Sequence, residues 1–236
     1  MDNRLEQIVA ALAGDGPLGR AALAPLSGLD RDSAARVPAL LAALPVDRQR
    51  QVVEALVGEA ELSFDLDYNL IYRALLGHTD ATIRRLCIEG LFEDEHTDLI
   101  APFIRLMETD PDVTVRAAAA DALGRYVFAG EVDELPASRA LIIREALERQ
   151  FLDPATPYQV ARRALESLAY INGDDTIKGY IDRAYSADQE EVRLSAVFAM
   201  GRSADPVWAD IVLSELYAES PAMRYEAARA CGELQL

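Results

Sequence analysis

Few residues in this chain have chemistry to offer. Its 236 residues hold two histidines, His78 and His96, and two cysteines, Cys87 and Cys231. A zinc site needs three or four nitrogen, sulfur or carboxylate ligands brought close together. Here threonine follows each histidine, at Thr79 and Thr97, and the acid beside His96 precedes it as Glu95. No metal is expected. The cysteines stand far apart on apolar helix positions, where a thiol behaves as a small inert hydrophobe. No Gly-x-Ser-x-Gly elbow and no Ser/His/Asp set occurs, and both histidines fall in turns. Gly14-Asp15-Gly16 follows a helical stripe, not a strand, so it does not read as a phosphate-cradling loop. No catalytic residue and no cofactor is assigned, and the chain is not expected to be an enzyme.

What remains is arginine and carboxylate. Lys178 is the one lysine, so 22 of the 23 basic residues are arginine, against 40 acids and a net charge of −17. Phosphate backbones and anionic membranes attract positive fields, so neither nucleic acid nor a membrane surface is the expected partner. Apolar residues at 51% and charged residues at 27% are those of a folded protein. No apolar run reaches the roughly 18 residues of a membrane span. The mixed-charge start shows no signal-type cleavage pattern, and two distant cysteines cannot staple a chain of this size. The cytoplasm is the default expectation.

These residues must be positioned by a repeat, which appears when the chain is slid along itself. Ile83-Arg84 through Leu91-Phe92, Val115-Arg116 through Leu123-Gly124, Val192-Arg193 through Met200-Gly201 and Met223-Arg224 through Cys231-Gly232 share one pattern. It reads apolar, Arg, two variable residues, small, two variable residues, small and large apolar, and in all but the first copy it closes on glycine. Looser copies start at Val160 and Gln49, so the starts at 49, 83, 115, 160, 192 and 223 are spaced by 34, 32, 45, 32 and 31 residues. A period in the low thirties means two helices per unit. The 45-residue interval is read as an insertion in the Ala129–Pro136 loop with a longer turn at Asp153–Pro157. Helix starts are marked by Asp110-Pro111-Asp112, Asp205-Pro206, Ser220-Pro221 and Asn172-Gly173-Asp174. Sustained apolar alternation of the strand kind is absent.

The pattern predicts an all-α, right-handed α-solenoid of about six helix pairs, at about 32–60, 67–92, 98–128, 137–171, 175–202 and 206–234. Residues 1–31 differ. Leu5, Ile8, Val9 and Leu12 make one apolar stripe, ended at Gly14–Pro17, and are expected to cap the array over 32–236.

Val-Arg-x-x-Ala-x-x-Ala-Leu-Gly after an acidic turn resembles the HEAT-repeat family, and is most similar to the bacterial HEAT-like repeats named after phycobilin lyases. The resemblance implies a structural ladder in which Arg84, Arg116, Arg193 and Arg224 pair with turn acids such as Asp80, Asp110, Asp112 and Asp188. In the copy at Val160, Arg162 or Arg163 would take that part. HEAT-type iron hydroxylases use repeated His-Glu pairs, which this chain lacks. Base-excision glycosylases of the class use a basic groove; Arg85, Arg125, Arg162, Arg163, Arg202 and Arg229 could line one, but Glu89, Asp121, Glu166, Glu226 and Glu233 share the same helices. A bilin-lyase groove could draw on Tyr126, Phe198 and Tyr225. These two enzymes are the alternative reading.

The leading reading is a non-catalytic scaffold that binds a protein or peptide on the concave side. The resemblance places the second helix of each pair there, and residues two and six after each copy start share a face by helical spacing. They are Arg85 and Glu89, Ala117 and Asp121, Arg162 and Glu166, Leu194 and Phe198, and Tyr225 and Arg229; Arg125 and Arg202 extend the set. Aromatic residues beside arginine are frequent binding hot spots. Glu54, Glu59, Glu61, Asp65 and Asp67, followed by Glu89, Glu93, Asp94, Glu95 and Asp98, make one stretch strongly acidic and suited to a basic partner. The C-terminal edge at Leu234 and Leu236 offers a route to oligomers.

Overall fold

The computed structural model describes residues 2–14, 16–63 and 65–236, so Asp15 of the first turn lies outside the described residues. The helices start where a side chain can take up a free main-chain N–H. Asp30 accepts from Ser33 N, Asp80 from Ile83 N, Asp112 from Thr114 N and Val115 N, Asp174 from Thr176 N and Ile177 N, and Ser220 from Met223 N. Asp205 caps a short 3-10 turn at Pro206–Trp208 in the same way. Gly173 precedes Asp174 at φ +73°, a left-handed conformation that favours glycine.

Two short helices come first, α1 (Asp2–Ala11) and α2 (Arg20–Leu23). Six hairpins follow: α3 (Arg31–Leu41) with α4 (Val46–Glu61), α5 (Asn69–Leu75) with α6 (Ala81–Gly90), α7 (Ile100–Thr109) with α8 (Val113–Glu131), α9 (Ala137–Leu152) with α10 (Tyr158–Leu168), α11 (Asp175–Tyr185) with α12 (Glu190–Arg202), and α13 (Ala209–Glu215) with α14 (Pro221–Glu233). No strand occurs among the described residues. The fold class is an all-α array of helical hairpins, the α-solenoid pattern.

The chain divides into two compact units, Met1–Glu95 and His96–Leu236. In the first, α1 packs on α3 with Leu5, Val9 and, just past the helix, Leu12 buried, while α3 packs on α5 and α4 on α6. In the second, α8 packs on α10, α10 on α12 and α12 on α14. Second helix on second helix is the stacking by which hairpins that cannot hide an apolar face alone hide it together.

The repeat register reappears as the core. The first apolar position is buried as Ile83, Val115, Val160 and Met223; the small position as Cys87, Ala119, Ala164, Ala196 and Ala227; the large one as Leu91, Leu123, Leu168 and Met200. Each large apolar side chain so buried stabilises the fold by about 1.5–3 kcal/mol. The closing glycines have a geometric reason. A Cβ on Gly201 would lie 2.7 Å from the Cα of Ala230, and one on Gly124 would lie 2.9 Å from Ser167 Oγ. Thus the closing residue of one copy seats on the second small residue of the next, letting two backbones approach.

The extra residues of the 45-residue interval do not form the loop expected at Ala129–Pro136. They lengthen helices: α8 has 19 residues and α9 has 16. The α8 extension carries Phe128, whose ring meets Tyr170 at 5.6 Å.

Candidate functional site

Three of the four repeated arginines act inside their own hairpins, and Arg116 also reaches the next one. Arg84 Nη1 donates to the carbonyls of His78 and Thr79, Arg193 Nη1 to those of Ala187 and Asp188, and Arg224 Nη1 to those of Ala218 and Glu219. In each case the acceptors stand five and six residues back, in the turn joining the two helices, where main-chain carbonyls have no intrahelical partner. Arg116 reaches Met107 O through Nε and Gln150 Oε1 through Nη2. For Arg116, Arg193 and Arg224 this corrects the expected pairing with turn carboxylates. A planar guanidinium reaches two adjacent carbonyls at once, which a single charge–charge contact does not require. Arg162 and Arg163 do not substitute in the copy at Val160, because both turn to Glu166.

Further links between successive hairpins run through other residues, about one repeat apart. Arg50 grips Asp80 with three hydrogen bonds of 2.5 to 3.2 Å, and Arg144 Nη1 donates to Asp174 at 2.6 Å. Lys178 meets Asp205 at 2.8 Å. Each base thus holds the carboxylate that caps a later helix, and that contact keeps all three acids below the ordinary carboxylate range. The signal was present in the sequence as a base one period upstream of a cap acid, and the sequence reading missed it.

His78 belongs to the same framework. Asp80 N donates to its Nδ1 at 3.0 Å and its Nε2 faces Gln49 Oε1 at 3.0 Å. It is half-buried, not a solvated turn residue, and burial lowers its pKa. That tautomer leaves no nitrogen lone pair for a metal. Cys87 is buried and its thiol pKa is pushed up by desolvation, whereas Cys231 is only half-buried.

The second helices of the His96–Leu236 unit bring most of the selected side chains together. Arg162 Nε meets Glu166 Oε1 at 2.7 Å, and Arg163 Nη1 meets Glu166 Oε2 at 2.8 Å and Asp121 at 3.5 Å. On α14, Arg229 contacts Glu226 at 3.5 Å and Glu233 at 3.2 Å. Between these groups lies Phe198. The guanidinium carbons of Arg229 and Arg202 stand 4.0 and 4.5 Å from its ring centroid, and Arg202 is 4.6 Å from that of Tyr170. Such cation–ring contacts are favourable when desolvated.

Several positions depart from the expected exposed face. Phe198 and Glu166 are buried, and Leu194 is half-buried. The reason is close stacking: neighbouring second helices lay their arginines across one another's residues. Tyr225 stays 72% exposed. Arg125 lies over Phe103 of α7 and over Tyr126, at 5.3 and 5.0 Å, inside its own hairpin rather than on this face. Tyr126 is itself buried, with its hydroxyl donating to His96 O, so it does not line a groove. In the Met1–Glu95 unit, Arg85 and Glu89 form a pair one turn apart at 2.5 Å.

Stacked hairpins with arginine-clamped turns and glycine contacts define a tandem helical-repeat protein. Residues 70–149 match the family of HEAT repeats. An engineered protein of known structure is similar at 20% identity, covering 100% of this chain and 97% of its own, with a TM-score of 0.39. A designed armadillo repeat protein in complex with the peptide (KR)4 is similar at 13% identity over 98% of this chain and 99% of its own, with a TM-score of 0.42. No curated protein matches the chain. No described helix is long and apolar enough to cross a membrane.

Proposed function

We propose that this chain is a non-catalytic scaffold that binds a protein or peptide on the face formed by α8, α10, α12 and α14. The observation that carries this reading is the cluster at Phe198: two arginines held against one ring, flanked by carboxylates, with Tyr225 exposed one helical turn from Arg229. Rigid aromatic and guanidinium groups bind partners at a small loss of side-chain freedom. Arg162, Arg163 and Arg229 are already matched by Glu166, Asp121, Glu226 and Glu233, which supports a protein partner over a phosphate backbone.

The test is capture from a cell extract by the wild-type chain and by Tyr225→Ala and Arg229→Glu. Both variants are expected to lose the same protein bands while keeping the wild-type circular dichroism. Bands unchanged in both variants, or recovery of nucleic acid alone, would sink the proposal. Self-association through the last hairpin is part of the same reading, because Tyr217, Tyr225 and Leu236 are all more than half exposed. A mass by light scattering that stays monomeric as concentration rises would remove it.

A further inference from the structure

Arg202 is the last residue of α12. Its guanidinium carbon lies over the rings of Tyr170 and Phe198, and among the described residues it makes no hydrogen bond and no ion pair. Arg4, Arg31, Arg105 and Arg183 share that lack, but they are exposed and water serves them. Arg202 is half-buried, yet its Nε, Nη1 and Nη2 all keep contact with solvent. The N–H bonds of a guanidinium lie in its plane, so rings over its face leave those donors free.

Tyr170 supplies a second observation. Its hydroxyl likewise has no hydrogen-bond partner among the described residues and reaches solvent. Its ring is held in place: Phe128 meets it at 5.6 Å, and a Cβ on Gly124 of α8 would fall 3.2 Å from Cε2. A guanidinium and a phenol with hydrogens to donate thus stand side by side on fixed supports, so little side-chain freedom is left to lose on binding. Both donate, so the ligand must accept. Arg162, Arg163 and Arg229 nearby are already held by Glu166, Asp121, Glu226 and Glu233. One spare guanidinium among acids suits a singly charged carboxylate. A phosphate, with about two negative charges at pH 7, meets more repulsion from the same acids.

We propose that Arg202 and the Tyr170 hydroxyl bind the carboxylate of an aspartate or glutamate side chain in a partner segment. An aromatic neighbour of that acid rests on Phe128, which packs on Tyr170 and is 49% exposed. The inference rests on the reading of α8, α10, α12 and α14 as a partner-binding face, and it names the group that this face recognises.

The experiment follows the arginine Nε–H signals of the isotope-labelled full chain by NMR while acetyl-Trp-Glu-Trp-amide is added. The Arg202 signal is assigned by its loss in Arg202→Lys. It is expected to shift to saturation, with the glutamate peptide bound at least about fivefold more tightly than acetyl-Trp-Gln-Trp-amide, which keeps the shape and loses the charge. Arg116, whose Nε donates to Met107 O, should not move. Variants are read on the backbone amides of α12 after a check for an unchanged melting curve. Arg202→Gln is expected to make the two peptides bind equally, and Arg202→Lys, which keeps the charge without the planar fork, to fall between wild type and Arg202→Gln. Tyr170→Phe is expected to weaken the glutamate peptide by at least about twofold. A phosphoserine in place of the glutamate is expected to bind more weakly. An unmoved Arg202 signal, equal binding of the glutamate and glutamine peptides by wild type, or tighter binding of the phosphoserine peptide overturns the assignment. If it is overturned while Tyr225→Ala and Arg229→Glu still lose their captured proteins, the face stands and the carboxylate site alone fails.

Discussion

Glu226 carries a carboxyl into a half-buried place among other acids. Desolvation holds its pKa above the ordinary value, Glu166 and Glu233 push it the same way, and Arg229 and Arg162 offset part of the effect. A carboxyl whose folded pKa is raised contributes stability below its unfolded pKa and loses it as pH rises through the folded one. Glu226→Gln is therefore expected to raise Tm at pH 7 by a few degrees, a shift of the size that about 1 kcal/mol gives a chain of this length. At pH 4, where the wild-type carboxyl is largely protonated, the gain should vanish. Thermal melts at the two pH values decide it, and an unchanged or lower Tm at pH 7 would show that the Arg229 contact outweighs the buried charge. Phe198 teaches the converse for a single side chain. Its spacing placed it on an open face, and only its neighbours' arginines close over it.

Within the helices, glycine separates local preference from packing. Gly201 sits in α12 against the backbone of Ala230, whereas Gly179 sits in α11 with open space where a Cβ would stand and nothing within 4 Å of it. The same change to alanine should act in opposite directions. Gly179→Ala is expected to stabilise by about 0.5–1 kcal/mol, because alanine restricts the unfolded chain and favours helix. Gly201→Ala is expected to destabilise by about 1–3 kcal/mol, because the added methyl must push α12 away from α14. Urea unfolding of the two variants is the measurement, and a stabilised Gly201→Ala would disprove the close seating. Helix limits were readable for a related reason. Cap residues such as Asp112, Asp174 and Ser220 announce themselves by type and by adjacent proline or glycine. The extension of α8 to Glu131 was not readable, since the segment there carries no stop signal that differs from a loop.

Across the whole molecule, acids do double service. Asp80, Asp174 and Asp205 cap helices and also hold a base from an earlier hairpin, Arg50, Arg144 and Lys178. Their folded pKa values are depressed, so the stability they add is present above about pH 4 and is lost as pH falls through the folded values. His78, with its pKa lowered by burial, adds a loss that begins as pH drops below its ordinary value near 6.5. Stability measured by urea unfolding is expected to decline gently from pH 7 to 5 and steeply below 4. Asp174→Asn should flatten part of the steep limb while lowering stability at neutral pH. A steep limb identical to wild type would mean that the Arg144 contact contributes nothing.

The helical hairpin repeat, its register and its caps could all be read in one dimension, because apolar spacing, small residues and cap chemistry act over a single turn or a single period. The likeness to HEAT repeats, which residues 70–149 match, was legible in four strings of ten residues. What individual side chains meet emerged only once the helices were packed: the turn carbonyls that accept from Arg193 and Arg224, the ring of Phe198 under Arg229 of the next hairpin, and the two unpartnered phenols at Tyr68 and Tyr72. Those pairings depend on the distance and rotation between neighbouring helices, and a one-dimensional pattern carries neither.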